Sequence, residues 1–437
     1  MIFHKVSWIR SHRHKFCPTL RTMALEWYRP VNYVPCFIQK YFRIFKQSFR
    51  KIPVIVETNE LGKMNQSVES LATSIGCKID RKLHTINAFS TKVNAKTLEL
   101  LAQNNNVKKI WYDREVKTLL DVASPTVGST PLWNNNITGK DVVVVVMDTG
   151  IYEHPDLSGR IIAFKDFVNQ KSHPYDDNGH GTHVAGDIAA NGSQSNGNYR
   201  GPAPEAQLIG VKVLNKIGSG SLSVVIEGLQ WCIDNKESLS IRVINMSLGA
   251  ETTMPYSEDP VCMAVANAWE AGIVVCAAAG NSGPQNNTIN SPGIHPSVIT
   301  VGALDDRNTV SLEDDSVADF SSRGPTIDGF EKPDIIAPGT DIISLRSPNS
   351  MLDKQNKQAR IDEWYTSLSG TSMATPVCSG VIAQILQVNP SLTPDQVKEL
   401  LIHTANPLED VDANSQGAGI INVKNAIGLS KNSITIH

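Results

Sequence analysis

Residues 141–147 read DVVVVVM, five valines with no polar interruption. That pattern suits a strand buried on both faces of a parallel sheet, not one with a solvated side. Beyond it, apolar runs and stretches of helical period take turns. AQLIGVKVL (206–214), VINMSL (243–248), IVVCAAAG (273–280) and SVITVGAL (297–304) read as strands. THVAGDIAA (182–190), SLSVVIEGLQWCIDN (221–235), DPVCMAVANAWEAG (259–272), TPVCSGVIAQILQ (375–387) and TPDQVKELLIHTA (393–405) read as helices. The last opens with Thr393, Pro394 and Gln396 in the N-cap, N1 and N3 places of a capping box. Such alternation predicts an α/β fold, a doubly wound, mostly parallel sheet flanked by helices. In that fold ligands bind beyond the carboxyl ends of the strands.

The pattern upstream is different. PVIVE (53–57), TINAFSTKV (85–93) and VKKIWYD (107–113) alternate as strands, with helical stretches at 64–77 and 95–103. Together they fit a small α+β unit of β-α-β-β-α-β type. A turn-rich link, DVASPTVGSTPLWNNNITG (121–139), separates it from the valine strand. Ahead of both, CFIQKYFRIFKQSFRK places Phe37, Tyr41, Phe45 and Phe49 four residues apart, with Lys40, Arg43, Lys46 and Arg50 elsewhere around a helix. Three regions follow: a basic aromatic extension over 1–52, a small domain over 53–120, and a large α/β domain over 121–437.

Composition narrows the class. The 437 residues are 41% hydrophobic and 19% charged, an ordinary globular balance, and no apolar run is long enough to span a bilayer. The net charge of −3 hides an asymmetry. Residues 1–51 hold eleven Lys or Arg and one acid, or +10, which leaves −13 for the remainder. The amphipathic arm suits a membrane surface, or packing of its aromatic face on the acidic body; no nucleic-acid partner is expected. Seven scattered cysteines, odd in number and without C-x-x-C, read as free thiols in a reducing compartment. MIFHKVSWIRSHRHKF lacks an apolar h-region, so the expected location is cytoplasmic, with export by a non-standard route as the alternative.

Four polar residues sit where this topology forms sites. Asp148 ends the valine strand and Asn281 ends IVVCAAAGN; each also reads as a turn residue or helix cap. Ser372, in SGTSMATP, stands ahead of a long apolar helix, where a capping serine is equally expected. His180, flanked by Gly179 and Gly181, reads as open to approach, whereas His183 falls within the following helix. An acid, an imidazole, a hydroxyl and an amide donor are the set that nucleophilic acyl transfer requires. A rival reading takes His180 and His183 with Asp176, Asp177 or Asp187 as a metal site, since H-x-x-H can present two ligands on one face. A second rival is a degenerate enzyme kept as a binding protein.

VMDTG (146–150), NGHGTHVAG (178–186), INMSLG (244–249), AAAGNSG (277–283), FSSRGP (320–325), PDIIAPG (333–339) and SGTSMATP (369–376) together resemble the signature blocks of the subtilisin-like serine proteases (subtilases). They come in the order Asp, His, Ser that marks this family's triad. The likeness covers roughly residues 125–428, and the whole chain is similar to the AprX-type alkaline serine proteases of bacilli.

The resemblance implies a serine endopeptidase of broad specificity, self-processed from a precursor, with Asp148, His180 and Ser372 as its triad and Asn281 in the oxyanion hole. It implies extended polypeptide substrates lying along Gly218, Ser219 and Gly220 on one side and Ser247, Leu248 and Gly249 on the other. It makes the 53–116 unit an inhibitory propeptide cut somewhere in 115–124. Catalysis would need no cofactor. Asp156, in EHPDL, matches a calcium-ligand position of many members, so a structural calcium enters as an expectation. The partner loop NGSQSNGNYRGP (191–202) departs from the family pattern, and a plain turn carboxylate is the alternative reading of Asp156.

Overall fold

The computed structural model describes residues 7–28, 47, 51–59, 72–113, 115–118, 126–307, 309 and 312–430. The chain divides into two units, one of residues 1–114 with 221–230, the other of 115–220 with 231–437. The aromatic helix expected at 37–49 and most of the helix expected at 64–77 lie outside the described residues.

The first unit carries helices α1 (Ser7–Ser11) and α2 (Pro18–Glu26), then strands β1 (Ile52–Thr58), β2 (Arg81–Leu83) and β3 (Ala88–Val93), helix α3 (Ala95–Gln103) and strand β4 (Val107–Tyr112). Its sheet runs β2-β3-β1-β4, with β1 antiparallel to both neighbours. The strand expected from residue 85 begins only at 88, because 84–86 form a 3-10 turn that ends at Asn87 in a left-handed conformation (φ 50°). Asn94 caps α3 by accepting the Thr97 N–H at 3.0 Å, and Leu98, Leu101 and Ala102 turn inward. Phe16 bridges to Ile110, the Cys17 N–H donates to the Ile110 carbonyl at 3.2 Å, and the Tyr112 N–H donates to Cys17 Sγ at 3.4 Å. Residues 221–230 join this unit through polar contacts. The Asp113 carboxylate accepts the Ser223 N–H and hydroxyl at 2.9 and 2.6 Å, Gln230 Oε1 accepts the Thr85 N–H at 2.8 Å, and Arg81 pairs with Glu227.

The second unit opens with strand β5 (Glu115–Thr118). Then come β6 (Val143–Asp148), β7 (Ile161–Asp166), helix α4 (His180–Ala189), β8 (Gln207–Lys212), β9 (Ser219–Ser221), helix α5 (Leu222–Asp234), whose first nine residues belong to the first unit, β10 (Ile241–Met246), β11 (Leu248–Gly249), helix α6 (Pro260–Glu270), β12 (Val274–Ala278) and β13 (Ile299–Asp305). After these, short helical turns aside, come β14 (Ser316–Val317), β15 (Ile335–Pro338), β16 (Ile342–Leu345), β17 (Tyr365–Leu368) and helices α7 (Thr371–Val388), α8 (Pro394–Thr404) and α9 (Val423–Ser430). The main sheet runs β14-β13-β12-β10-β6-β8-β7, with β15 beside β13; only β14 is antiparallel.

Every residue of β6 is buried, as the valine run demands. Later strands lie on one side of β6 and β7–β8 on the other, so the order reverses between β6 and β10. A doubly wound sheet opens its crevice at that switch. The capping box of α8 forms as expected, Thr393 Oγ1 accepting from Gln396 N–H and Gln396 Oε1 from Thr393 N–H. Among the described residues no helix is long and apolar enough to cross a membrane.

Candidate active site

Asp148 is the last residue of β6, at the carboxyl edge of the switch. His180 Nδ1 lies 2.8 Å from Asp148 Oδ1 and 2.9 Å from Oδ2, with both side chains fully buried. A carboxylate on that nitrogen fixes the tautomer and gives proton exchange to Nε2. Two expectations need correction here. His180 is the first residue of α4 rather than a residue ahead of the helix, and it is buried rather than open. The glycines beside it serve close packing: Gly179 takes φ 108°, and a Cβ at Gly181 would collide with the Gly150 carbonyl and crowd Asp148.

Asp176 shapes the approach to α4. Its Oδ1 accepts the Gly179 N–H at 2.8 Å and the Thr149 hydroxyl at 2.9 Å, and its Oδ2 accepts the Thr182 hydroxyl and N–H at 2.7 and 2.9 Å. Burial pushes its pKa up, opposed by those donors. Asp177 pairs at 2.8 Å with Lys212, a fully buried lysine at the end of β8 that also donates to the Thr149 and Leu214 carbonyls. Asp187 takes His183 Nδ1 at 2.9 Å within the helix, and burial raises its pKa against the pull of His183. The three carboxylates of the metal reading thus serve separate sets of partners.

Ser372 is the second residue of α7, inside the helix rather than before it. Its hydroxyl donates to the Ser247 carbonyl at 3.2 Å. Four residues on stands Pro376, which has no N–H to give back to the Ser372 carbonyl. That carbonyl instead accepts the Ser247 hydroxyl at 2.5 Å. Asn245 Nδ2 donates to Ser247 Oγ at 2.9 Å, and the Ser379 hydroxyl donates to Asn245 Oδ1 at 2.9 Å. A buried polar chain therefore replaces the missing helix bond. Asn281 follows β12, and its Oδ1 accepts both the N–H and the hydroxyl of Thr371 at 3.0 Å. Two donors on that atom identify it as oxygen and turn the amide nitrogen the other way. Helix α7 packs on α4, β10, β12 and β13, which gathers all four groups at one edge.

On the cleft side, β5 lies between β11 and β9 in a three-stranded sheet. Thr118 pairs antiparallel with Leu248 and Lys117 with Gly249. The two segments expected to flank a substrate are thus the two that flank β5, and Gly218 adopts φ 75° just before β9.

Asp156 is fully buried in the turn after β6. Its Oδ1 accepts the Ser193 hydroxyl at 2.8 Å and the Gln194 N–H at 3.0 Å; its Oδ2 accepts the Tyr365 hydroxyl at 2.7 Å and the Gly192 N–H at 3.1 Å. Those four donors use the acceptor positions of the carboxylate. Calcium needs six to eight oxygens with lone pairs turned inward, and this arrangement does not fit it.

Lys212, the main-chain bracing by Asp176 and the link from Ser379 through Asn245 to Ser247 escape the sequence reading. The clue to Lys212 is a lone lysine inside the apolar run AQLIGVKVL.

The subtilase family model matches residues 139–419. Serine protease AprX of Bacillus subtilis strain 168 is 51% identical over 438 residues, covering 97% of this chain and 99% of its own. A thermostable alkaline protease of Halalkalibacterium halodurans is 34% identical over 357 residues, covering 81% of this chain and 86% of its own. Among solved structures, fervidolysin of Fervidobacterium pennivorans, a keratinolytic enzyme related to subtilisin, superposes with a TM-score of 0.70 at 24% identity. It covers 86% of this chain, which spans 61% of that one, and at that identity the match speaks for the fold alone.

Proposed function

The chain belongs to the subtilase family of serine proteases, and from that premise we propose that Ser372, His180, Asp148 and Asn281 cleave peptide bonds through an acyl-enzyme. It is a subtilisin-like serine endopeptidase, and catalysis in this family needs no cofactor. Ser372 Oγ attacks the scissile carbonyl while His180 Nε2 takes its proton. The new C–O bond forms as the carbonyl π pair moves onto oxygen. The Asn281 amide and the Ser372 N–H meet that oxyanion, and Asp148 stabilises the imidazolium without being protonated itself. Collapse expels the amine, which leaves with the proton from His180. Water then enters by the same route and frees the acid.

The antiparallel ladder between Glu115–Thr118 and Leu248–Gly249 carries this reading. A peptide bound as an added strand receives main-chain bonds whatever its side chains, which supports broad specificity. The same ladder supports cleavage of the chain itself within 115–124, with residues 53–116 acting as an inhibitory propeptide. A parallel sheet joins distant segments and folds slowly, so a templating domain lowers a real barrier. Six free thiols among the described residues support action in a reducing compartment such as the cytoplasm.

A fluorophosphonate probe tests the chemistry. It is expected to label the active protein and to be abolished by Ser372→Ala; absence of labelling on folded protein overturns the reading. Intact mass tests the processing, which is rejected if active enzyme keeps residues 53–116 attached.

A further inference from the structure

Asp156 stands eight residues after Asp148, the Gly192–Gln194 loop follows α4 with its His180, and Tyr365 precedes Ser372 by seven residues. One buried carboxylate therefore ties together the chain segments that carry all three triad members. We propose that Asp156 is a positioning residue, the centre of a metal-free clamp that holds those segments in register. This inference rests on the assignment of Ser372, His180 and Asp148 as the triad.

The clamp is complete without an ion. Both carboxylate oxygens accept two hydrogen bonds each, from Ser193 and Gln194 on one and from Gly192 and Tyr365 on the other. The backbone oxygens nearby are committed as well. Arg160 Nη1 donates to the Ala189 carbonyl at 2.6 Å, and its Nη2 donates to the Asp156 carbonyl. The guanidinium thus bonds main-chain oxygens beside the carboxylate, not the carboxylate itself. Its planar fork holds these two carbonyls with directed donors.

The Tyr365 end is rigid. Its ring meets Tyr199 edge-on at 4.8 Å between centroids, and it is fully buried. His154 reinforces the joint, its Nδ1 accepting the Asp156 N–H at 3.1 Å and its Nε2 standing 3.1 Å from the Trp364 carbonyl. A clamp of this kind acts through the groups it places, since catalytic geometry loses roughly a hundredfold in rate per ångström of misplacement.

The test uses the full chain and three variants. Calorimetric titration with calcium chloride on wild type and Asp156→Asn is expected to show no heat that the substitution removes. The thermal midpoint in EGTA should equal that in calcium. Tyr365→Phe removes one donor and keeps the ring; it is expected to lower kcat by about tenfold per fluorophosphonate-titrated site, with KM little changed. Arg160→Met should lower the thermal midpoint, and added calcium should not restore it. A calcium isotherm lost in Asp156→Asn overturns the metal-free clamp. An unchanged kcat per titrated site in Tyr365→Phe overturns positioning. If wild type does not label at all, the triad assignment itself has failed, which is a distinct outcome.

Discussion

Helix α4 carries two histidine–aspartate pairs on neighbouring turns, His180 with Asp148 and His183 with Asp187. Their Nδ1–oxygen distances are 2.8 and 2.9 Å, and all four side chains are buried. Distance and burial cannot tell them apart. Origin does. Asp148 comes from a strand end at the crevice, so the pair straddles two elements and its imidazole sits at the helix start beside α7. Asp187 lies four residues along the same helix, so that pair closes on itself. His183 Nε2 finds no hydrogen-bond partner among the described residues, and its carbonyl accepts the Ser344 hydroxyl at 2.8 Å. A His–Asp pair becomes a proton relay only when the far nitrogen faces a reacting group. Otherwise it is a strut.

The sharpest break between the pairs is removal of each imidazole. His180→Ala is expected to lower kcat by about 10⁶-fold, the scale of losing a member of such a triad, in protein that still folds. A fall in kcat that matched only a loss of folded protein would merge the two pairs into one structural role. Next come the carboxylates. Asp148→Asn should cost about 10⁴-fold in kcat through the wrong tautomer, whereas Asp187→Asn should leave kcat per titrated site within a few-fold. Equal losses would remove the distinction.

A smaller effect is expected from His183→Gln. It should lower stability by about 1–3 kcal/mol, the cost of disturbing a buried hydrogen-bonded pair, as read from the urea midpoint. The smallest effect separates pH dependence of fold from that of rate. Burial pushes the fully buried Lys332 down to about 7, with Asp334 opposing the shift. An unfolded lysine titrates near 10.4. Between those values the unfolded chain binds more protons, so stability should rise with pH across that window. Lys332→Met should flatten this slope, while His180→Ala should leave it intact. A slope unchanged by Lys332→Met would assign it to other groups.

The fold was legible where pattern and burial agree. DVVVVVM announced β6, and the small-residue stretches announced α4 and α7. What escaped had a weak pattern. IIAFKD at β7 is an edge strand with only Asp166 buried, and its four apolar residues are too short a run to tell from other structure by period. Arg81–Leu83 is three residues long, and β15, β16 and β17 are four each. Of the candidate site, the residue types were readable from seven sequence blocks, but their surroundings were not. A lysine is ordinarily solvated, and nothing local to Lys212 said that two carbonyls and Asp177 awaited it. Nor could EHPDL reveal that one of the four donors to Asp156 would arrive from Tyr365, 209 residues away. Short motifs carry the identity of a group; its partners come from distant parts of the chain and need the fold.

The contact of Phe16 and Cys17 with β4 has a consequence for solubility. An outer strand with unused N–H and carbonyl groups is a template on which another chain can pair, and sheets left open in this way grow into aggregates. Here the Ile110 carbonyl and the Tyr112 N–H are already engaged by Cys17. Phe16 and Cys17 thus take up two of the groups that this outer strand would otherwise offer to a second copy.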